Sequence, residues 1–500
     1  MPPMFPFNDM KLSDALVRDL RRLNPWWEGK PMPVLPSTRR HIVSAIHQRL
    51  RIGLAPAVMI LGPRQVGKTT AQMHVIQDLL AAGVSADCIL RVQCDGLAEL
   101  VRLTEPILRL VDWFEGSILR RTLNEAAGAG LRTYLFFDEV QNLDSWAPQL
   151  KTLVDSSTTQ VVVTGSSALR LEMSRDSLAG RITSIEDGAL SLTEIAELHD
   201  IPLGRPFLVE NLPEPLGRLE FWTALREHAL SLSSERDLAF EEFSVRGGYP
   251  LVHKNKEVPW AEIATQLNET VIRQVIEHDL RVGDPGHKRD APLLDEVFRL
   301  ACRHAGKAPA PASLAHQAQG SLGTSVAPEK INHFLEFLGD IPLLRLIRPL
   351  ETQSKRKGQN AKICVVDHGL RASWLQELVP VAPRLLKKEP GLSVLAGHLS
   401  ESIVGAAFST IPGLDIAHLP ASPDQPEVDF VLTIGARRIP VEVKYRRRID
   451  PLRDTEGLRT FLEKAANHAP FGLLITLTDN TKVVDPRIVS LPLSSLMLLR

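Results

Sequence analysis

Five short apolar runs between residues 51 and 200 have the length and composition of buried β-strands. They lie at residues 57–61, 88–93, 133–137, 160–163 and 182–185. The segments between them carry helix formers, and residues 70–80 place apolar side chains at helical spacing. Strands that alternate with helices predict a parallel, doubly wound α/β sheet. The alternation stops near residue 192.

The pattern changes again downstream. Residues 201–290 predict helices broken by turns rich in proline and glycine. Residues 293–338 predict three helices and residues 341–347 a strand, which is the outline of a winged helix. We therefore expect five regions along the chain. They are a helical lead-in at 1–50, the parallel-sheet core at 51–200, a helical lid or linker at 201–290, a winged-helix-like region at 291–360 and a further α/β domain at 361–500.

Residues 62–69 read GPRQVGKT and match the pattern G-x-x-x-x-G-K-T. The preceding strand and the following helix favour a phosphate-binding loop over a chance turn. Backbone N–H groups of such a loop surround phosphate oxygens, Lys68 reaches the β- and γ-phosphates, and the Thr69 hydroxyl binds Mg²⁺. The predicted nucleotide-binding residues are Gly62, Pro63, Arg64, Gln65, Val66, Gly67, Lys68, Thr69 and Thr70.

Two acids follow the strand at 133–137, where a nucleotide-binding sheet places its magnesium carboxylate. Asp138 is expected to hold Mg²⁺ through water, and Glu139 to orient and deprotonate the attacking water. An acidic turn is the alternative, which the phosphate loop 70 residues upstream disfavours. Hydroxyls end the next strand. We expect Ser166, or a residue one or two positions away, to sense the γ-phosphate, and a Ser/Gly turn is the alternative.

A second group of acids lies near the C-terminus. Asp429 sits on one predicted strand, and Glu442 and Lys444 share a face of the next, in the pattern D-x₁₂-E-x-K. Asp429 and Glu442 could bind Mg²⁺, with Lys444 positioning water and the helical Glu401 giving a third carboxylate. The alternative is an alternating strand with a charged, exposed face. Residues 446–448 are three arginines that would suit phosphate binding.

Composition excludes several classes of protein. With 500 residues, 44% hydrophobic and 23% charged, the chain is too long for one core and is not largely disordered. The net charge of −1 gives no global basic field, so nucleic acid would have to bind through local patches. The basic residues 355–357 and Lys362 are one candidate patch, or a solvated surface loop.

Cysteine usage and hydropathy bear on the compartment. The chain has four cysteines without a C-x-x-C pair, which indicates reduced core thiols. They are Cys88, Cys94, Cys302 and Cys364. The N-terminus lacks the basic and apolar regions of a secretion signal, and no apolar stretch approaches the roughly 20 residues of a membrane span. We expect a cytoplasmic protein without a membrane partner.

Taken together, the motifs resemble those of a bacterial and archaeal group of AAA-type P-loop ATPases, fused to a winged helix and a C-terminal domain similar to the PD-(D/E)xK nucleases. The segments that carry the resemblance are 62–70, 136–155, 161–172, 178–182, 190–195, 246–250, 362–370 and 427–445. The implied fold is α/β: a parallel P-loop sheet with a helical lid, then a winged helix and a restriction-endonuclease-like domain. One departure is Val428 where the nuclease name has proline before the first acid.

The resemblance implies an ATPase that uses Mg²⁺ and ATP, forms a ring or other homo-oligomer, and acts on DNA, including branched or forked DNA, in DNA repair or phage defence. It also implies that Arg181 contacts the γ-phosphate, from a neighbouring subunit in one version. A structural ion pair is the alternative for Arg181. Metal-dependent DNA cleavage is one expectation for the C-terminal domain. Two other hypotheses stay open: a nucleotide-dependent switch directed at a partner protein, and a DNA-binding ATPase whose nuclease fold is inactive.

Overall fold

The computed structural model describes residues 12–97, 99–165, 178–208, 212–274, 276, 290–351, 360–423 and 425–500. The chain divides into two compact units, Met1–Asp187 and Gly188–Arg500, which are described in turn. The predicted five-region division is finer than this and stays a prediction.

A five-stranded sheet forms the centre of the first unit. Its strands are β1 (Ala57–Leu61), β2 (Ile89–Gln93), β3 (Tyr134–Asp138), β4 (Gln160–Gly165) and β5 (Ile182–Glu186). All neighbours run parallel, in the order β2-β3-β4-β1-β5. Because β4 lies between β1 and β3, the carboxyl ends of these three strands meet at one edge of the sheet.

Helices cover both faces of this sheet. Those described are α1 (Asp14–Leu23), α2 (His41–Ile52), α3 (Lys68–Ala81), α4 (Pro106–Phe114), α5 (Leu123–Gly128) and α6 (Trp146–Ser156). Side chains of β1 alternate between two cores, since Met59 packs with α1, α4 and α6 whereas Val58 and Ile60 pack with α2 and α3. The predicted parallel α/β fold is confirmed for the five-stranded sheet and the helices of the first unit.

The second unit begins with helices. The described ones up to residue 386 are α7 (Leu192–Leu198), α8 (Leu219–Ser231), α9 (Ser233–Arg246), α10 (Pro250–Lys254), α11 (Trp260–Leu267), α12 (Ala291–Arg303), α13 (Pro311–Leu322), α14 (Pro328–Asp340), α15 (His368–Leu375) and α16 (Pro383–Leu386). Helices α12, α13 and α14 pack against one another. They precede an antiparallel strand pair, β6 (Leu344–Ile347) and β7 (Lys362–Val365). The predicted boundary between residues 360 and 361 lies between these two strands.

A mixed sheet completes the second unit. Its elements are α17 (Ser393–Ser409), β8 (Asp415–Leu419), β9 (Val428–Ile434), β10 (Arg437–Lys444), α18 (Glu456–Glu463), β11 (Gly472–Thr476), β12 (Ile488–Pro492) and α19 (Leu493–Leu496). The order is β12-β11-β10-β9-β8, with antiparallel pairing of β8, β9 and β10 and parallel pairing of β10, β11 and β12.

Helix α17 belongs to the core of this region. By length and composition alone, Pro390–Ser409 would suffice to cross a bilayer, which the sequence analysis did not anticipate. Half of that stretch is buried inside the second unit, and α17 packs on β7 and β10. This is the environment of a core helix in a folded domain.

The turn at residues 246–250 is locked to residues 367–370 by close backbone contact. A Cβ on Gly247, where φ is 73°, would lie 2.4 Å from the Gly369 nitrogen. Buried Asp367 accepts hydrogen bonds from the N–H groups of Gly248 (2.6 Å) and Leu370 (3.1 Å). Only glycine allows this approach, so the turn at 246–250 is also a tertiary contact.

Candidate functional site

The phosphate-loop sequence joins β1 to α3, as predicted. Gln65 (φ 63°) and Gly67 (φ 104°) adopt the left-handed conformation that curls the loop. The Lys68 ammonium donates hydrogen bonds to the carbonyls of Gly62 (3.0 Å) and Pro63 (2.8 Å), and its side chain is 3% exposed. Because these two carbonyl partners are neutral, the Lys68 ammonium can exchange them for the charged oxygens of a bound phosphate.

Two residues brace the loop from outside it. A Cβ on Gly62 would lie 2.4 Å from the Asp187 carbonyl oxygen, so this position requires glycine. The Arg40 guanidinium donates to the Val66 carbonyl and to Asp187 Oδ1, the latter at 2.8 Å. Sequence analysis missed Arg40, because the residues it bonds are 26 and 147 positions away. Its role is to fix the loop against the end of β5.

The predicted acids lie at the carboxyl end of β3, beside the loop. Asp138 is 1% exposed, and Glu139 Oε1 lies 3.5 Å from Lys68 Nζ. Glu139 adopts φ 54°, which is uncommon for a residue with a side chain and typical of functional sites. The structure therefore brings together the loop lysine and the two acids, as the sequence predicted.

A threonine at the end of β4 orients both acids. The Thr164 hydroxyl donates to Asp138 Oδ1 (2.5 Å) and accepts the Glu139 backbone N–H (2.9 Å). The residue predicted for this strand end, Ser166, lies outside the described residues. Thr164 is two positions earlier and lies within the predicted range, but its contacts with Asp138 and Glu139 were not predicted.

Arg91 on β2 is a further neighbour of Asp138. Its Nη2 lies 3.2 Å from Asp138 Oδ2, and its side chain is buried. Burial raises the pKa of Asp138, while the Thr164 hydrogen bond and the Arg91 charge oppose that rise. An arginine within an apolar strand run was the sequence signal for this contact.

The first unit fits a bound Mg²⁺. Thr69 lies in the first turn of α3, and its side-chain hydrogen bond to the Asp138 carboxylate opposes the rise in the pKa of that acid that burial causes. A hydroxyl and a carboxylate that converge beside a phosphate loop are oxygen ligands of the kind Mg²⁺ takes together with substrate phosphates.

Arg181 lies in a surface ion pair within the first unit. Its Nε is 2.5 Å from Asp155 Oδ1, and about a third of each side chain is exposed. This is the structural ion pair that the sequence analysis gave as the alternative. A contact between Arg181 and a γ-phosphate stays a prediction.

The second unit brings its four predicted residues to one cavity of about 570 Å³. Glu401 comes from α17, Asp429 from β9, and Glu442 and Lys444 from β10. A fifth residue, Lys362 of β7, lies among them with a side chain that is 2% exposed. Sequence analysis placed Lys362 with a basic surface loop. That interpretation was wrong, because this lysine is buried among carboxylates. Residues 355–357 lie outside the described residues.

Lysines hold the carboxylates of this cavity. Lys362 Nζ lies 2.8 Å from Asp429 Oδ1 and 3.0 Å from Glu401 Oε2, and Lys444 Nζ contacts Glu442 Oε1. Burial opposes ionisation of Asp429, but the charge and hydrogen bond of Lys362, the Val443 N–H and the Lys444 charge together outweigh it and lower the pKa of that acid. Burial and the Asp429 charge raise the pKa of Glu442 to about 8.

The predicted Mg²⁺ site at Asp429 and Glu442 does not fit this arrangement. Both oxygens of Asp429 are engaged, since Oδ1 faces Lys362 and Oδ2 accepts the Val443 N–H at 2.9 Å. Within the described part of the chain, no group of three or more His, Cys, Asp or Glu side chains is arranged to hold a metal ion. The four cysteines, all buried and free, are also no part of a metal site there.

Three family models match the chain. One described as an AAA domain matches residues 55–196, and two described as domains of unknown function, DUF8612 and DUF4143, match residues 237–378 and 396–496. Among curated proteins, uncharacterized proteins of Mycobacterium bovis and Mycobacterium tuberculosis are 28% identical over 185 residues. These matches cover 33% of this chain and 36% of each relative, so the chain spans about a third of their length.

Solved structures give weaker likeness. The Walker-type ATPase of Pyrococcus abyssi has a TM-score of 0.36 at 15% identity, covering 69% of this chain and 99% of that one. The Drosophila origin recognition complex bound to DNA scores 0.25 at 15% identity (75% and 95% covered), and Cdc6p of Pyrobaculum aerophilum 0.26 at 12% (73% and 98%). Similarity this low carries no argument about function. The AAA-domain match and the loop, acid and sheet geometry agree, so residues 55–196 are similar to an AAA-type P-loop ATPase domain.

Proposed function

We propose that this protein hydrolyses Mg·ATP in its first unit and uses that cycle to act on DNA held by its second unit. The observation that supports ATP hydrolysis is the convergence of Lys68, Asp138 and Glu139. The Thr164 side chain forms hydrogen bonds with both acids. In this proposal Lys68 binds the β- and γ-phosphates. Glu139 orients the attacking water and takes its proton. Thr69 and Asp138 hold Mg²⁺, which neutralises phosphate charge when bound.

A homo-oligomer is part of the proposal. AAA-type sites are completed between subunits in the family that the sequence resembles, and Arg181 is the candidate for an arginine supplied in trans. Its partner Asp155 is a surface residue, and exposed ion pairs of this kind contribute little to stability. Exchange of Asp155 for a phosphate of a neighbouring subunit would therefore cost little.

The proposed DNA binding is supported by local positive charge in the second unit. Arg446, Arg447 and Arg448 are exposed after β10, and Arg446 pairs with Asp454. Such residues suit contacts with a phosphate backbone, which give affinity without sequence readout. The bundle of α12, α13 and α14 with the β6–β7 pair supports a winged-helix element as a second contact surface.

We propose that the second unit binds DNA without cutting it. This is the version in which the nuclease-like fold serves as a clamp. Its support is the engagement of Asp429 by Lys362 and by the Val443 N–H, which gives each oxygen of this acid a partner within the protein. Metal-dependent cleavage is the competing account.

DNA affinity of a charge-reversed protein tests the proposal. The Arg447→Glu/Arg448→Glu variant should bind duplex or forked DNA at least about tenfold more weakly, with a smaller dependence on salt concentration. Arg205→Glu/Arg218→Glu changes net charge equally at exposed positions elsewhere in the second unit and is the matched control. Equal loss in both variants, or no DNA binding by the wild type, would overturn the DNA assignment.

A further inference from the structure

The acidic cavity of the second unit carries its own cation. Three carboxylates, Glu401, Asp429 and Glu442, are held with the ammonium groups of Lys362 and Lys444. Lys362 is the more deeply placed of the two lysines, with 2% of its side chain exposed against 28% for Lys444. Its Nζ also lies 5.0 Å from the centroid of the Phe430 ring, which adds a cation–π contact.

The position of Lys362 is fixed by packed elements. It projects from β7, which pairs with β6 and packs against α17, the helix that carries Glu401. Asp429 lies on β9, in the adjoining sheet, 67 positions away in sequence. Because its carboxylate partners come from a helix and a strand of the folded core, the ammonium cannot leave them without exposing buried, uncompensated negative charge.

The hydrogen-bond partners of the carboxylate oxygens in this cavity also disfavour a bound metal ion. Asp429 Oδ1 and Glu401 Oε2 face Lys362, and Asp429 Oδ2 accepts a backbone N–H. Among the described residues, Glu442 Oε2 is the carboxylate oxygen of this cluster that is buried without a hydrogen-bond partner. Glu401 Oε1, which lies 3.9 Å from His398 Nδ1, is the other oxygen of the three acids that no lysine or backbone N–H engages. Water would therefore have to supply most of the roughly six oxygen ligands that a divalent cation takes.

We propose that the Lys362 ammonium is the resident cation of this cavity and that the site takes up no divalent metal while Lys362 holds it. The cluster is then a fixed-charge element of the second unit rather than a metal-dependent catalytic centre. This inference deepens the non-cutting part of the proposed function and rests on the same Asp429 contacts. It is independent of the ATPase and could fail while ATP hydrolysis and DNA binding stand.

Metal binding by variants of the full chain tests it. Mn²⁺ is titrated into nucleotide-free protein and counted by electron paramagnetic resonance. Wild type and Glu442→Gln should bind the same amount of Mn²⁺, since any contribution of the phosphate loop is common to both. Lys362→Met removes the ammonium at similar side-chain length and should bind one further Mn²⁺ per chain, which Lys362→Met/Glu442→Gln should lose.

Chemical labelling of wild-type protein gives a second readout that needs no variant. Lysine acetylation, read by mass spectrometry, should modify Lys307, which is exposed at the same cavity, and leave Lys362 unmodified with or without Mn²⁺. Mn²⁺ binding by the wild type that Glu442→Gln removes, or Mn²⁺-dependent labelling of Lys362, would overturn the proposal. So would a folded Lys362→Met protein that gains no Mn²⁺.

Discussion

The Thr164 hydroxyl donates a 2.5 Å hydrogen bond to the Asp138 carboxylate. The same oxygen accepts the backbone N–H of Glu139, so a single side chain at the end of β4 sets the position of both acids at the end of β3. The contact is possible because β4 lies between β3 and the strand that leads into the phosphate loop. We infer that Thr164 is a positioning residue for ATP hydrolysis.

Replacement of Thr164 by valine tests this relationship. Valine keeps the shape of the side chain and removes the hydroxyl that bonds a charged group, which contributes about 1.5–3 kcal/mol. We expect roughly tenfold to hundredfold slower ATP turnover, measured as phosphate release. Thr164→Ser retains the hydroxyl and should stay near the wild-type rate. Equal rates for the valine and wild-type proteins would contradict the positioning role.

Lys68→Ala should weaken ATP binding by roughly a hundredfold, since it deletes the charged partner of the phosphates at a cost of about 3 kcal/mol. Isothermal titration calorimetry with ATP measures this directly. Lys30→Ala is the matched control, because Lys30 is an exposed lysine of the first unit that pairs with Glu28. Unchanged ATP affinity in Lys68→Ala would remove the loop from nucleotide binding.

Glu139→Gln should bind ATP normally and hydrolyse it about a hundredfold or more slowly, because an amide cannot accept the proton of the attacking water. Single-turnover hydrolysis with excess enzyme separates the chemical step from ATP binding. Asp144→Asn makes the same acid-to-amide change at an exposed position after β3 and should leave turnover unaffected. Near-wild-type hydrolysis by Glu139→Gln would exclude it as the base.

Buried histidines should make the stability of the second unit depend on pH. Burial lowers the pKa of His253 to about 4, against 6.5 for an ordinary histidine. The unfolded chain therefore binds a proton that the folded chain does not, and stability present above pH 6.5 is lost as pH falls toward 4.

His253→Gln should remove up to one proton from this linkage, about 1.4 kcal/mol per pH unit of the free energy of unfolding. Glutamine can still donate to the Gly247 carbonyl, which His253 Nε2 contacts at 2.8 Å. Urea unfolding at several pH values between 4 and 6.5 measures the slope. His316→Gln, at an exposed position on α13, should leave it unchanged. The same slope in His253→Gln and wild type would contradict the buried-histidine account.

The local sequence pattern was enough to predict much of the first unit. The five strands, the phosphate loop and the acids after β3 follow from apolar runs and from residues at their ends, because a strand end and a loop are adjacent in sequence. Arg40 and Arg91 could not be assigned in this way, and neither could the contacts of Thr164 with the two acids. Their contacts depend on strand order, which crossover connections set and a single sequence does not display.

The limit of prediction from sequence is clearer in the second unit. The alternation of apolar and polar residues in β9 and β10 was sufficient to predict that Asp429, Glu442 and Lys444 lie close together. The role of Lys362 was not predictable, since its partners Glu401 and Asp429 are 39 and 67 positions away. The available signal was a lysine at the first position of an apolar strand. A charged side chain that is buried with such a strand needs a partner of opposite charge.

ATP hydrolysis with Mg²⁺, measured with and without single-stranded, duplex, forked and four-way DNA, tests the central claim most directly. The DNA in the same samples is scored for cutting, and Glu139→Gln serves as the inactive reference. We predict that at least one DNA form stimulates hydrolysis by the wild type and that all DNA stays intact. Equal hydrolysis with every DNA and without DNA would contradict the account and would favour a switch directed at a partner protein.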